Sequence, residues 1–209
     1  MVLSDGEVVH LGGTAVERPG YDLIGVFVGS EGTLGIVTEV TVRLVRRPEV
    51  VSTLLAAFAS TDAAGVAVSG IISAGLVPSA IEMMDSLSVQ AAEASVHAGY
   101  PLDAGALLLV ELDGPRVEVE EQSGVVEAIC LASGATSLRV AESDEARALM
   151  WKGRKSAFAA MGRISKDYYG QDGGIPRTER SQVLRQIAGL GGQEGRGGRR
   201  VESKKHKAW

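Results

Sequence analysis

The sequence predicts an α+β fold, an antiparallel sheet with helices on one face, and three observations carry that prediction. Through residues 50–141, apolar runs of strand length alternate with longer amphipathic stretches. Those stretches carry helix punctuation: Thr61 and Asp62 stand at the start of one, Pro115 opens another, and Gly75 and Gly134 close them. Hydrophobic residues make up 45% of the 209 and charged residues 22%, as in ordinary soluble domains, while aromatics at 4% leave core filling to Val, Leu, Ile, Ala and Met.

The elements follow in order. Residues 1–12 read as a β-hairpin around an Asp5-Gly6 turn. Residues 20–28, GYDLIGVFV, are an apolar run compatible with a helix or a buried strand. A glycine loop, GSEGTLG, occupies 29–35. In 36–46, polar Glu39, Thr41 and Arg43 alternate with apolar Val40, Val42 and Leu44, the period of a half-buried strand. Arg46-Arg47-Pro48 ends it, and a domain boundary is expected near 47–50. Then come a strand over 50–60, a helix over 61–75, a short strand over 78–85, a helix over 86–98, a strongly apolar strand over 105–114, a helix over 115–135 and a strand over 136–141. With the second helix set aside as an insertion, the order is β-α-β-β-α-β, the ferredoxin-like pattern. A long helix over 142–162 follows, capped by Ser143 with Asp144 and Glu145 in its first turn. Residues 164–176 read as a strand or extended loop and 178–188 as helical. Residues 189–198 hold six glycines and lead into RRVESKKHKAW, so 189–209 is expected to be a disordered basic tail.

Charge and cysteine bound the function. The net charge is -5, yet residues 196–209 carry six Lys or Arg against one acid, so the body is acidic and the end basic. Cys130 is the one cysteine, which excludes an intrachain disulfide and fits a cytoplasmic, reducing compartment. It lies in the helical pattern VVEAICLAS and reads as a core residue. No apolar stretch is long enough to span a membrane, and MVLSDGEVV is not a signal peptide. His10, His97 and His206 lack metal-ligand spacing, so no metal site is expected.

Two constellations bear on chemistry. The glycine loop is neither a P-loop nor a dinucleotide fingerprint, because it precedes a strand. Its spacing fits a tight structural turn or a backbone cradle for a ligand. The second is WKGRKSAF (151–158) with GRISKDYYGQD (162–172). Arg154, Lys155 and Arg163 suit a carboxylate, Arg154 best because its planar fork binds bidentately; the same spacing suits a solvated basic helix face. Tyr168 or Tyr169 lines a pocket on that first reading, and Asp172 bonds near it or caps a turn.

The stretch GYDLIGVFVGSEGTLGIVTEVTVRL resembles the signature closing the FAD-binding domain of the vanillyl-alcohol oxidase / p-cresol methylhydroxylase flavoproteins. IEMMD, HAGYP, LLVELDG, RKSAFAAMGR and DYYGQDGGIPR resemble the cap domain of FAD-linked oxidases, nearest the glycolate oxidase FAD subunit and the D-lactate dehydrogenases. The resemblance covers about nine-tenths of the chain. It implies the end of a PCMH-type FAD-binding domain over 1–47, a FAD-linked oxidase cap domain over 48–188, and FAD as cofactor. By it, Gly29, Ser30, Gly32 and Gly35 let the backbone approach the flavin. Ile36 and Val37 sit by the isoalloxazine ring, their backbone N–H and C=O bonding its polar edge. Arg154, Lys155 and Tyr169 contact a small 2-hydroxy-acid substrate such as glycolate or D-lactate. That substrate is oxidised to the 2-oxo acid as a base takes the hydroxyl proton and hydride passes to flavin N5.

No general base is identified. In the family a His-Ala-Gly-Asp-Gly-Asn-x-His type segment follows, and here the Gly- and Arg-rich tail stands in its place. The phosphate-cradling loop of the first FAD-binding half is also outside the sequence. The expectation is therefore an internal fragment, inactive alone, with electron-transfer subunits as candidate partners of the whole. A rival reading is a ferredoxin-like assembly module without catalysis. A third takes the basic tail as a nucleic-acid-binding arm; the acidic body and the lack of stacking aromatics weigh against it.

Overall fold

The computed structural model describes residues 1–13, 20–163, 182, 183, 186 and 203–206. The chain divides into two compact units, Met1–Arg47 and Pro48–Trp209.

The first unit opens with the expected turn. Leu3 N–H donates to Glu7 O at 2.9 Å and Gly6 N–H to Leu3 O at 3.0 Å. Gly6 takes the positive φ that such a turn needs, and Val2 bridges Val8. Residues 20–28 resolve as a helix, α1 (Leu23–Phe27), because the Asp22 carboxylate accepts Gly25 N–H at 3.0 Å and caps it. The expected strand over 36–46 forms only at its first residue. Val2 and Ile36 exchange two backbone bonds of 2.8 Å, and residues 37–46 then carry no regular structure. Alternation marks a face to be covered, and no described residue covers this one: Val40 is 71% exposed and Leu44 88%.

The second unit is built on an antiparallel sheet of order β4-β1-β3-β2-β5. In chain order it holds β1 (Val50–Phe58), α2 (Thr61–Ser73), β2 (Ala80–Asp85), α3 (Ser86–Val96), β3 (Ala106–Gly114), α4 (Arg116–Ala132), β4 (Ala135–Val140), α5 (Asp144–Ala160), a 3-10 turn (Met161–Arg163) and β5 (Ser203–His206). β1 and β3 pair along their whole length, from Val50 opposite Gly114 to Phe58 opposite Ala106. This is the ferredoxin-like α+β arrangement that the element order predicts.

The expectation of helices on one face needs correction. Leu54, Ala56 and Phe58 of β1 pack with Leu108 and Val110 of β3 against Ala64, Ala67 and Ile71 of α2 and Val126 and Cys130 of α4. The alternate residues Leu55, Ala57, Leu107 and Leu109 pack against Val89 and Ala92 of α3 and Met150 and Ala157 of α5. Both faces are covered because β1 and β3 are apolar at both parities, the pattern of strands buried on two sides. Each fully buried Leu or Phe side chain contributes roughly 1.5–3 kcal/mol. Alanines on the helices let them come close in a core poor in aromatics.

Helix ends are mostly where punctuation placed them. Ser60, one residue before the expected Thr61 and Asp62, caps α2 by accepting Ala63 N–H at 3.2 Å. Pro115 is the N-cap of α4 and not its first helical residue. Ser143 caps α5 by accepting Ala146 N–H at 3.1 Å. His97 closes α3 in the left-handed conformation, φ 53°. The expectation of disorder over 189–209 is corrected at Ser203–His206, whose extended backbone pairs with Ile81–Met84 of β2. Gln182, Val183 and Gln186 are helical. The rest of 164–202 and residues 207–209 lie outside the described residues, Tyr168, Tyr169 and Asp172 among them.

Candidate functional site

The glycine loop begins where α1 ends. Gly29 and Gly32 take φ of 86° and 82°, values that a side chain strains, and Glu31 between them is also left-handed at 51°. Turn bonds run from Ser30 N–H to Phe27 O at 3.1 Å and from Thr33 N–H to Ser30 O at 3.0 Å. The backbone N–H groups of Gly29, Glu31, Gly32, Leu34 and Gly35 find no partner among the described residues. A Cβ at Gly29 would meet nothing within 4 Å. The loop is thus a side-chain-poor surface rich in unspent donors, which fits the polar edge or anionic groups of a flavin nucleotide.

Two of the residues expected at the flavin also have roles within the first unit. Gly35 is required by the protein itself, since a Cβ there would lie 2.9 Å from Val2 O and 2.8 Å from Met1 Cε. The Ile36 N–H is taken by Val2, while its C=O accepts one bond from Val2 and keeps a second lone pair, and its side chain is exposed. Val37 has no such bond and keeps its backbone groups.

In the second unit, α5 carries the basic residues. Arg154 is 6% exposed and faces Glu82 of β2, itself 7% exposed. Nη2 of Arg154 lies 2.7 Å and Nε 2.8 Å from the same oxygen, Glu82 Oε2. Nη1 takes part in neither contact. The solvated-face reading of Arg154 is therefore excluded, and the guanidinium is a buried cation in a defined orientation. Lys155, one residue on and about 100° around the helix, is exposed and is not brought beside Arg154. Arg163 donates from Nη1 to Ala94 O at 3.0 Å, which ties the 3-10 turn to α3. The third expected substrate contact, Tyr169, lies outside the described residues.

Sequence reading missed the groups that seat α5. Glu111 Oε2 of β3 accepts from Trp151 Nε1 at 2.6 Å, from the fully buried Thr53 at 2.8 Å and from Arg147 Nη1 at 3.4 Å. Tyr100, 4% exposed, donates its hydroxyl to Met150 O of α5. Its pKa is pushed up by burial. The available signal was an acid inside an apolar strand: Glu82 in IEMMD and Glu111 in LLVELDG each need a buried donor. Among the described residues, no three His, Cys, Asp or Glu gather as a metal site, and no helix is long and apolar enough to cross a membrane.

Comparison with known proteins adds the family. The family described as FAD linked oxidases, C-terminal domain, matches residues 47–198. The glycolate oxidase subunit GlcD of Escherichia coli K12 is 51% identical over 189 residues, covering 90% of this chain and 38% of that protein. GlcD of Bacillus subtilis is 39% identical, covering 90% and 40%. A probable mitochondrial D-lactate dehydrogenase of Danio rerio is 34% identical, covering 88% and 38%. The chain thus spans about two-fifths of the length of these relatives. Among solved structures, an alkyldihydroxyacetonephosphate synthase superposes with TM-score 0.60 at 18% identity, over 85% of this chain and 38% of that one, a likeness of fold.

Proposed function

The chain belongs to the FAD-linked oxidases, and on that footing we propose that it forms part of a flavoprotein that oxidises a small D-2-hydroxy acid, glycolate or D-lactate, to the 2-oxo acid. The observation that carries the reading is Arg154, a buried guanidinium oriented by Glu82 with Nη1 outside that pairing. A hydroxy acid brings a carboxylate that needs such a cation, and charge-assisted bonds of this kind are about twice as strong as neutral ones. The names of the relatives support the same substrate class.

When bound, the flavin supplies the acceptor for the two electrons of the α-carbon. This chain's residues bind and orient. The unspent N–H groups of Gly29 and Gly32 and the backbone of Val37 hold the cofactor's polar atoms, with Ser30 and the Ile36 side chain beside them. Arg154 holds the substrate carboxylate and so anchors one end of the substrate. Lys155 enters only as a rim charge, and Tyr169 as a pocket wall. No base is assigned among the described residues. Electron-transfer subunits and a cytoplasmic setting complete the proposal; the buried, unbridged Cys130 supports the second.

The test is the absorbance spectrum of the purified chain, with added FAD and after desalting, followed by titration with glycolate and D-lactate. Retained flavin whose bands shift on adding either acid supports the reading, provided that Arg154→Lys loses the shift. Retained flavin with no response to either acid, in this chain and in a GlcD carrying this chain in place of its matching region, refutes the substrate assignment.

A further inference from the structure

We propose that Tyr100 is a positioning residue for Arg154, clamping the turn of α5 that carries the guanidinium; this rests on reading Arg154 as the carboxylate holder. The geometry is specific. The Tyr100 hydroxyl donates to Met150 O, the carbonyl that the Arg154 N–H takes in a regular helix. The hydroxyl thus ties the loop at Tyr100 to the turn of α5 that leads into Arg154. The hydroxyl end of the ring lies against Gly153, the residue before Arg154: a Cβ there would stand 2.5 Å from the hydroxyl oxygen and 2.7 Å from Cε2 and Cζ. Glycine at 153 is what lets the ring come so close.

The wedge is itself held. Tyr100 N–H donates to Glu93 Oε2 at 2.9 Å and Gly99 N–H to Glu93 Oε1 at 3.1 Å, so one carboxylate clasps the loop. Arg139 Nη2 of β4 donates to Ala98 O at 3.2 Å and steadies the residues just before it. Arg154 is therefore fixed from two sides: Tyr100 sets the height and rotation of its backbone, and Glu82 sets the guanidinium plane. What the phenol adds is a fixed position for the turn.

The experiment uses the 209-residue chain labelled with ¹⁵N, following the Arg154 side-chain Nε–H signal, assigned by its loss in Arg154→Lys. In the wild type this proton, bonded to Glu82, exchanges slowly with water. In Tyr100→Phe, which keeps the ring and removes the hydroxyl, its exchange is expected to speed up about tenfold. Val126→Ala, in the core on the opposite sheet face, is the comparator for general loss of stability. Faster Nε–H exchange in Tyr100→Phe than in Val126→Ala, at matched urea midpoints, supports positioning. Equal exchange in the two, or no change in Tyr100→Phe, overturns it. Calorimetric titration with D-lactate runs beside this. No response to hydroxy acid in this chain and in the GlcD carrying it, while the Nε–H still answers to Tyr100, sinks the substrate reading and leaves the positioning intact.

Discussion

Arg154 and Glu82 form a buried ion pair, and cutting it one side at a time has a calculable cost. Both residues are under a tenth exposed, and two N–H groups converge on one carboxylate oxygen at 2.7 and 2.8 Å. Removing one partner strands the other charge in a medium that solvates it poorly, at a cost of about 3–5 kcal/mol. For a domain of this size each kcal/mol lowers Tm by about 2–4 °C, so Arg154→Met and Glu82→Met should each melt about 6–20 °C lower. The double variant removes both charges and fills the space with apolar atoms. It should therefore cost less than either single change, with a coupling of at least about 3 kcal/mol. Urea unfolding with a common m-value measures all four proteins. Single costs below about 1 kcal/mol, or a double cost equal to the sum of the singles, would show that the pair behaves like a solvated surface bridge. Arg154 would then not be held by Glu82, and the clamp loses its footing.

Three further outcomes are expected. Ser143→Ala removes the N-cap of α5 and should cost about 1 kcal/mol, read as a lower urea midpoint at unchanged m. Burial pushes the Cys130 thiol from 9.0 up to about 11, so the folded chain keeps a proton that the unfolded chain releases. Its contribution to stability is full below the lower value and is lost as pH rises through the upper one. The urea midpoint should fall across that window more steeply in the wild type than in Cys130→Ala. Gly35→Ala, whose Cβ would press on Val2 O and Met1 Cε, should break the Val2–Ile36 bridge. Chemical shifts of those two residues should move to coil values, with the second unit's spectrum unchanged.

Much of the second unit is legible in the residues, since its local signals agree with the packing they meet. LLLVEL reads as a central strand and is one; Ser143 with its acidic first turn starts a helix where expected. The covering of both faces was written in the same runs, in apolar residues at odd and even positions of β1 and β3, but the ferredoxin-like analogy argued for one covered face. Residues 36–46 misled for a different reason. Alternation records what a strand could pack against, and the ladder needs a partner edge that no described residue beyond Val2 supplies. The orientation of Arg154 was illegible, because its partner lies far away in sequence and meets it only through β2 and α5. The roles of Tyr100 and Gly153 were hidden in the same way, by a contact between a loop and a helix fifty residues apart.

The sheet order has a consequence for synthesis on the ribosome. β1 is made first, yet its partners are β3 and β4, and Val50 waits for Gly114. The chain must grow by about fifty residues after Phe58 before the β3 edge exists, roughly 3–10 s of translation at ordinary rates. Through that interval VVSTLLAAF is an apolar strand with both edges bare, able to pair with any neighbour it meets. A nascent chain stalled between α2 and β3 leaves this strand exposed, and its β3 partner becomes available with the emergence of LLLVEL.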